Sequence, residues 1–383
     1  MSPFPGTIGF QQLQCSRLAV GGQGVCLSAS GEELLVDRCL PGELLTAELK
    51  VSKKGLAAAQ KLQQLTQKQL QIEETFCQPA GLNLPSLQIE QIEPCGYHYG
   101  YRNKMTFTSN MQGFGLYHFA SGSGLVPVTD CHLQDSTANL LLQQAQQLQL
   151  HTFTEALTIR WADLNSSGPR HYMIIAHIRA AAKLWKKKRE AVTARLSKVA
   201  KHLMAQQPAL VSFAARQGAT RHDCLTSSAG EFVVAGQAHL RQHLCGLNFI
   251  VSPASFMQTN PAQAEALYGM VLKAADLQPT DTVLDLFCGA GAISLVLAQH
   301  CQSRPDIDVV VADPARAGMG THLLQFLQDC KARKIVYVSC NPQTQARDVQ
   351  ELCRRGNYAV KAVQPCDMFP HTAHVECIVT LQI

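Results

Sequence analysis

Residues 282–298 read TVLDLFCGAGAISLVLA, and no other stretch limits the fold of this chain so strongly. A short apolar run, a turn with two glycines and a helical apolar pattern follow one another, which is a buried strand feeding a helix through a tight loop. Glycine permits positive φ and a close backbone approach, while the helix N-terminus supplies donors and a positive field. DVVVADPARAG (308–318) and KIVYVSCNP (334–342) are two further strands ending in polar turns, and HVECIVTLQI closes the chain as a fourth. Strands alternating with helices predict an α/β, Rossmann-like sheet, in which ligands bind beyond the carboxyl ends of the strands.

Each turn carries chemistry. Asp285 ends the first strand, and Gly289 and Gly291 shape the loop after Phe287. The third glycine of the dinucleotide fingerprint is replaced by Ser294, so the pattern looks more like S-adenosylmethionine binding than NAD binding. Asp313 can accept hydrogen bonds from a base or an amine, and Arg316 can pair with an anion or fix the turn; taken alone, the motif reads first as a capped strand–helix turn. Cys340 sits between a strand and an Asn-Pro turn, where proline ends the ladder and restricts its predecessor. A small buried thiol is the ordinary reading of such a residue, yet its place at a strand end faces it toward the ligand crevice. In an extended segment His374 and Glu376 share a side, unless His374 is only a neighbour in the turn. A glutamate on an otherwise apolar strand is costly to bury without a role, and desolvation suits it to proton abstraction.

Texture divides the chain into residues 1–60, 61–245 and 246–383. The first part alternates short apolar runs with Gly-Gly, Ser-Gly-Glu and Pro-Gly turns, as in a small antiparallel barrel. Lys61 to Glu74 is Gln-rich and reads as a helical linker. Gly96 to Asn110 alternates as a strand, and 140–150 and 191–205 have helical periodicity. Lys183 to Arg189 is a dense basic cluster around Trp185, either a solvated helix face or an RNA-contacting stripe. Fifteen scattered cysteines do not suit a disulfide scaffold. With no long apolar run and no signal-peptide anatomy at the start, the expectation is a soluble monomer, cytoplasmic, or organellar if a targeting segment is missing.

Together these motifs resemble the RNA (uracil-5-)-methyltransferase family. DLFCGAGAISL, DPARAG, VSCNP and DMFPHTAHVE occur in that family's order, and SFMQTNPAQAEALY (255–268) is similar to its F-x-Q-x-N segment. LAVGGQGV and LPGE resemble the TRAM domain of many members, and YRNKMTFT (101–108) the start of their central domain. The likeness covers nearly the whole chain. It implies a TRAM/OB-like barrel, a central α+β RNA-binding domain and a methyltransferase domain that methylates uridine C5 in tRNA or rRNA, with S-adenosylmethionine as donor. In such an enzyme Cys340 attacks C6 of the uracil and Glu376 removes the C5 proton. Gln258, Phe287 and Asp313 serve the cofactor site, with Asp285, Gly289, Gly291 and Arg316 in support. The target base must leave its stack, which favours RNA presented as a loop.

The chain departs from that pattern twice. Asp313 follows Asp285 after only 28 positions, whereas a doubly wound domain needs roughly 65–70 residues there for three helices and two strands. The missing piece, near 300–306, would carry the acidic residue that holds the cofactor ribose, and its loss is expected to remove central strands. Cys77, Cys95 and Cys131 lack the paired spacing of an iron–sulfur cluster, so no cluster and no metal site are expected. The rival function is an RNA-binding protein that has lost part of its cofactor site. An amino-group methyltransferase would leave Cys340 and Glu376 idle.

Overall fold

The computed structural model describes residues 9–18, 24–27, 33–36, 44–51, 57–59, 63–77, 87, 89–117, 124–165, 168–179, 182–218, 230–301 and 307–383, and side chains outside 1–64 and 179–189. Two compact units emerge: Met1–His98 with Gly269–Cys288 and Leu297–Ile383, and Tyr99–Tyr268 with Gly289–Val296. The first begins with strands β1 (Gly9–Leu18), β2 (Gly24–Leu27), β3 (Glu33–Val36), β4 (Leu44–Val51) and β5 (Ala57–Ala59), antiparallel in the order β3-β2-β1-β4-β5. The three turns read from the sequence here lie outside the described residues. Helix α1 (Gln63–Cys77) follows.

The second unit is built on one seven-stranded sheet. Strands β6 (Lys104–Asn110), β7 (Gly113–Tyr117) and β8 (Leu125–Pro127) precede α2 (Ser136–Gln147); β9 (Ala156–Asp163) and β10 (Arg170–Arg179) precede α3 (Ala182–Gln206); β11 (Leu210–Gly218) and β12 (Glu231–Gly236) complete the order β12-β11-β10-β9-β6-β7-β8. Alternation gives the sheet one apolar face. Phe107, Ile159, Ile174 and Phe213 meet Leu142 of α2 and Leu203 of α3 there. Asp135 caps α2, its carboxylate accepting from Ala138 N at 2.8 Å. The strand expected over 96–110 starts only at Lys104, because the backbone before it is drawn to loops: Gly100 and Arg102 donate to His132 and Leu133 carbonyls, each at 2.8 Å. Strands β13 (Leu240–Leu244) and β14 (Leu247–Val251) form a hairpin whose turn residues Cys245 and Gly246 both take positive φ. Asn260 Oδ1 then accepts from Gln263 N at 3.2 Å, and Pro261 opens helix α4 (Pro261–Ala275).

The C-terminal sheet returns to the first unit. Strand β15 (Val283–Leu286), helix α5 (Ala292–Ala298), β16 (Val309–Ala312), α6 (Thr321–Cys330), β17 (Lys334–Ser339), α7 (Pro342–Arg355), β18 (Ala359–Cys366) and β19 (Glu376–Gln382) follow in the chain. The sheet order is β15-β16-β17-β19-β18, parallel from β15 to β17, with β19 antiparallel to both neighbours. Strands β16 and β17 are buried throughout, as expected of an apolar parallel core.

Two expectations are corrected here. The short connection removes no central strand: β15 pairs directly with β16, and β15 itself becomes a half-buried edge of the described sheet. Nor is α1 a linker. Its Ile72 and Phe76 are fully buried in one core with Val310, Tyr337, Leu352 and Val379. Beyond α1, Glu90 N and Glu93 N donate to the carbonyls of Val363 and Pro365 at 2.8 and 2.9 Å, so this segment covers the outer edge of β18.

Lys68 of α1 reaches through the same core. Its Nζ lies 2.5 Å from Asp367 Oδ1 and 3.1 Å from Phe369 O, with both charged side chains almost wholly buried. Lys68→Ala is expected to cost about 3–5 kcal/mol in urea unfolding, because it strands the Asp367 charge. The double substitution Lys68→Met with Asp367→Leu should recover most of that loss.

Candidate active site

Proline and a polar turn fix Cys340. Ser339 Oγ exchanges hydrogen bonds with Asn341 N and O at 3.1 and 3.2 Å. Asn341 is extended, as a residue before proline must be, and Pro342 starts α7. Buried Gln345, one turn into α7, donates to Tyr337 O at 2.7 Å and Cys377 O at 3.0 Å, bracing β17 against β19. Asp348 is wholly buried and ties three elements together. It accepts from Met319 N at 2.7 Å and Tyr337 OH at 2.9 Å, and it pairs with Arg347 at 2.8 Å. Gly318 has φ +81°, and a Cβ there would collide with Asp348 Oδ2, which accounts for the glycine that ends DPARAG.

Strand register brings the charged groups to one end of the sheet. Ser339 and Cys377 are the last partners of β17 and β19, so Cys340 and Glu376 follow side by side. Asp313 leaves parallel β16 at the same end, its N donating to Leu286 O at 3.3 Å. Burial pushes the Glu376 carboxyl up to about 8, with Asp313 adding to the rise and Arg316 opposing it. Burial and then Asp285 push Asp313 up to about 6. The half-buried Cys340 thiol is also raised, by burial first and then by Glu376, while the Arg316 guanidinium, hydrogen-bonded to it, pulls the other way. Arg316 also lies 3.5 Å from the His374 ring, and its carbonyl accepts from Asn341 and Thr344 side chains at 3.1 Å.

A cleft of about 200 Å³ opens over the thiol, lined by Gln71, Arg316, Cys340, Asn341, Gln343 and His374 among others. Buried Glu376 opens β19, and exposed His374 lies just before the strand, 3.5 Å from Arg316. Sequence reading missed Gln71, Gln345 and Asp348. Gln345 and Asp348 had a signal, since they fall on the α7 stripe that also buries Val349 and Leu352.

At the neighbouring strand end, Phe287 holds φ +63° with a half-exposed ring, and Gly289 and Gly291 have φ +54° and +75°. A Cβ at Gly291 would meet nothing within 4 Å, so this backbone is open to a ligand. The carboxylates of Asp285 and Asp313 and the Phe287 ring suit a ligand with amine or hydroxyl donors and an aromatic face. Half-buried Gln258 belongs to the second unit. Among the described residues no group of three or more His, Cys, Asp or Glu side chains could hold a metal ion, and no helix is long and apolar enough to cross a membrane.

Residues 301–383 match the family described as tRNA (Uracil-5-)-methyltransferase. An uncharacterized RNA methyltransferase of Gloeobacter violaceus is 28% identical over 95% of this chain and 94% of its own. That alignment runs over 441 positions, more than the 383 residues present here, so it carries gaps in this chain. One from Chlorobaculum tepidum is 34% identical, over 42% of each chain. A Pyrococcus abyssi tRNA (uracil-54, C5)-methyltransferase, solved with S-adenosyl-L-homocysteine, has the same fold at 20% identity and a TM-score of 0.61, covering 97% of this chain and all of that one.

The raised carboxyls have a consequence for stability. The native protein holds the Glu376 proton up to about pH 8, far above the ordinary carboxyl range. Its contribution is therefore fully present below the unfolded value and is lost as pH rises through the folded one. Glu376→Gln should unfold at higher temperature than the wild type, with the difference growing from about pH 5 to about pH 9. A pH-independent difference would place the carboxylate in water.

Proposed function

We propose that this chain, which is similar to RNA methyltransferases and whose residues 301–383 match the tRNA (uracil-5-)-methyltransferase family, methylates C5 of a uridine in tRNA or rRNA through a bond from Cys340 to C6. The register that sets Cys340 beside Glu376 carries this reading. Uracil C5 is an inert vinylic carbon, and addition of a thiolate at C6 makes it nucleophilic; covalent catalysis splits one hard step into easier ones. S-adenosylmethionine supplies the electrophilic methyl group. Asp285, Phe287 and Asp313 would hold that donor, together with the Gly289–Gly291 backbone and, by the resemblance, Gln258.

Cys340 gives its proton to solvent as the Sγ–C6 bond forms, and the C5–C6 π pair moves onto C5 and the C4 carbonyl oxygen as an enolate. Arg316, hydrogen-bonded to the sulfur, stabilises the thiolate. Glu376 keeps its proton near neutrality, so it adds no second negative charge beside the sulfur. Once C5 is methylated the adduct is uncharged. Glu376, after releasing its own proton to solvent, takes the C5 proton as a carboxylate, the C5–C6 double bond re-forms, and the Sγ–C6 bond breaks to return the thiolate. A carboxyl titrating near 8 is a far stronger base than an ordinary one.

A second reading, RNA binding without turnover, is favoured by the β15 edge, because the strand that would carry the ribose-binding acid has no counterpart beside it among the described residues. Titration calorimetry with S-adenosylmethionine separates the two: one saturable site supports the enzyme, and a folded protein that does not bind supports the second. With labelled donor and RNA, Cys340→Ala should abolish methyl transfer while leaving RNA affinity within about twofold. Glu376→Gln should accumulate a protein–RNA adduct on denaturing gels. Retained turnover in the first, or no adduct in the second, overturns the assigned roles.

A further inference from the structure

The face of the seven-stranded sheet opposite α2 and α3 is polar, yet much of it is buried. Lys104 pairs across β6–β9 with Arg160, which pairs with Met173, which pairs with Ser212. These four side chains form a row across four strands, and Arg216 lies on the same face further along β11. Arg160 is 1% exposed. Its Nη1 donates to the carbonyls of Ser252 and Ser255 at 3.3 and 2.8 Å, which are neutral acceptors. Its buried Nη2 has no hydrogen-bond partner among the described residues, and neither do Ser212 Oγ and Arg216 Nε. Glu231 is committed to Arg216 at 2.9 Å.

An arginine buried without an anion is costly. Burial lowers Lys104 to about 8, with Arg160 and then Arg216 adding to the fall and Glu231 opposing it, so the three cations share one field that this single carboxylate does not cancel. Burial also lowers Arg160 to about 10. Every open group in the row can donate, and Lys104, only half-buried, opens it to solvent. A planar guanidinium beside an ammonium and a hydroxyl matches a group with several acceptor oxygens.

We propose that Lys104 and Arg160, with Ser212 behind them, form a phosphate-binding site on this sheet. A backbone phosphate of the RNA and free phosphate share this chemistry; the RNA source rests on the function proposed above. The test compares the wild type with Arg160→Met, Lys104→Met and, as a surface-charge control, Lys361→Met. Thermal unfolding with inorganic phosphate and anisotropy with a folded RNA hairpin at several salt concentrations are the two readouts.

Phosphate should raise the wild-type and Lys361→Met melting temperatures but neither site variant's. Each site variant should bind RNA roughly tenfold more weakly, with the salt slope reduced by about one. Arg160→Met should melt no lower than the wild type without phosphate, since it removes an uncompensated charge; if it fails to fold, Lys104→Met carries the test. A phosphate response lost with an unchanged RNA salt slope, or a wild type that binds phosphate but no RNA, keeps the site and assigns it to free phosphate, the latter also ending the RNA-substrate reading. Site variants that keep the wild-type phosphate response and salt slope, or a wild type indifferent to both probes, overturn the proposal.

Discussion

The antiparallel pairing of β19 with β17 is the constraint on which the Cys340 end of the sheet depends. Register in a sheet has period two, so a slip of one residue would turn Glu376 to the other face and Cys377 toward the cleft. The register is held from both sides. Gln345 spans β17 and β19 through two backbone carbonyls, and Asp348 fixes the 313–319 loop against β17. Both residues come from α7, whose start is set by Pro342. One helix therefore positions the thiol at its N-terminus and supports the strands beneath it.

Charge at that end is unbalanced by design of the fold alone. Asp285, Asp313 and Glu376 converge near a thiol, with Arg316 as the cation acting on both the thiol and Glu376. The raised proton affinity of Glu376 relieves the crowding near neutrality. The roles proposed for Cys340 and Glu376 fit this arrangement, because the thiol and the carboxyl would be ionised at different steps.

Cys340 and Glu376 were legible in the sequence because each breaks a local rule: a cysteine placed on a proline turn, and a carboxylate on an apolar strand. The α/β sheet was legible for the reverse reason, since its strands obey the pattern. Helix α1 was not. Its stripe at 68, 72 and 76 contains Lys68, and the surrounding glutamines hide a core-facing helix whose lysine pairs with a carboxylate 299 positions away. The edge status of β15 was equally invisible, because a strand's composition does not say which neighbours the chain retains. The row of Lys104, Arg160 and Ser212 needs the pairing of four strands before it exists at all.

The place of α1 in the C-terminal core changes what counts as a part of this protein. The textural boundary at 246 separates unlike sequences but not independent bodies: the sheet that carries Cys340 takes helix α1 and an edge-covering segment from before residue 98. During synthesis from the N-terminus, α1 must wait for most of the chain before its buried surface and Lys68 find their partners. The intervening seven-stranded unit can form its own core in that interval. The unit holding the thiol therefore closes last, and its assembly reports that nearly the whole described chain has been made.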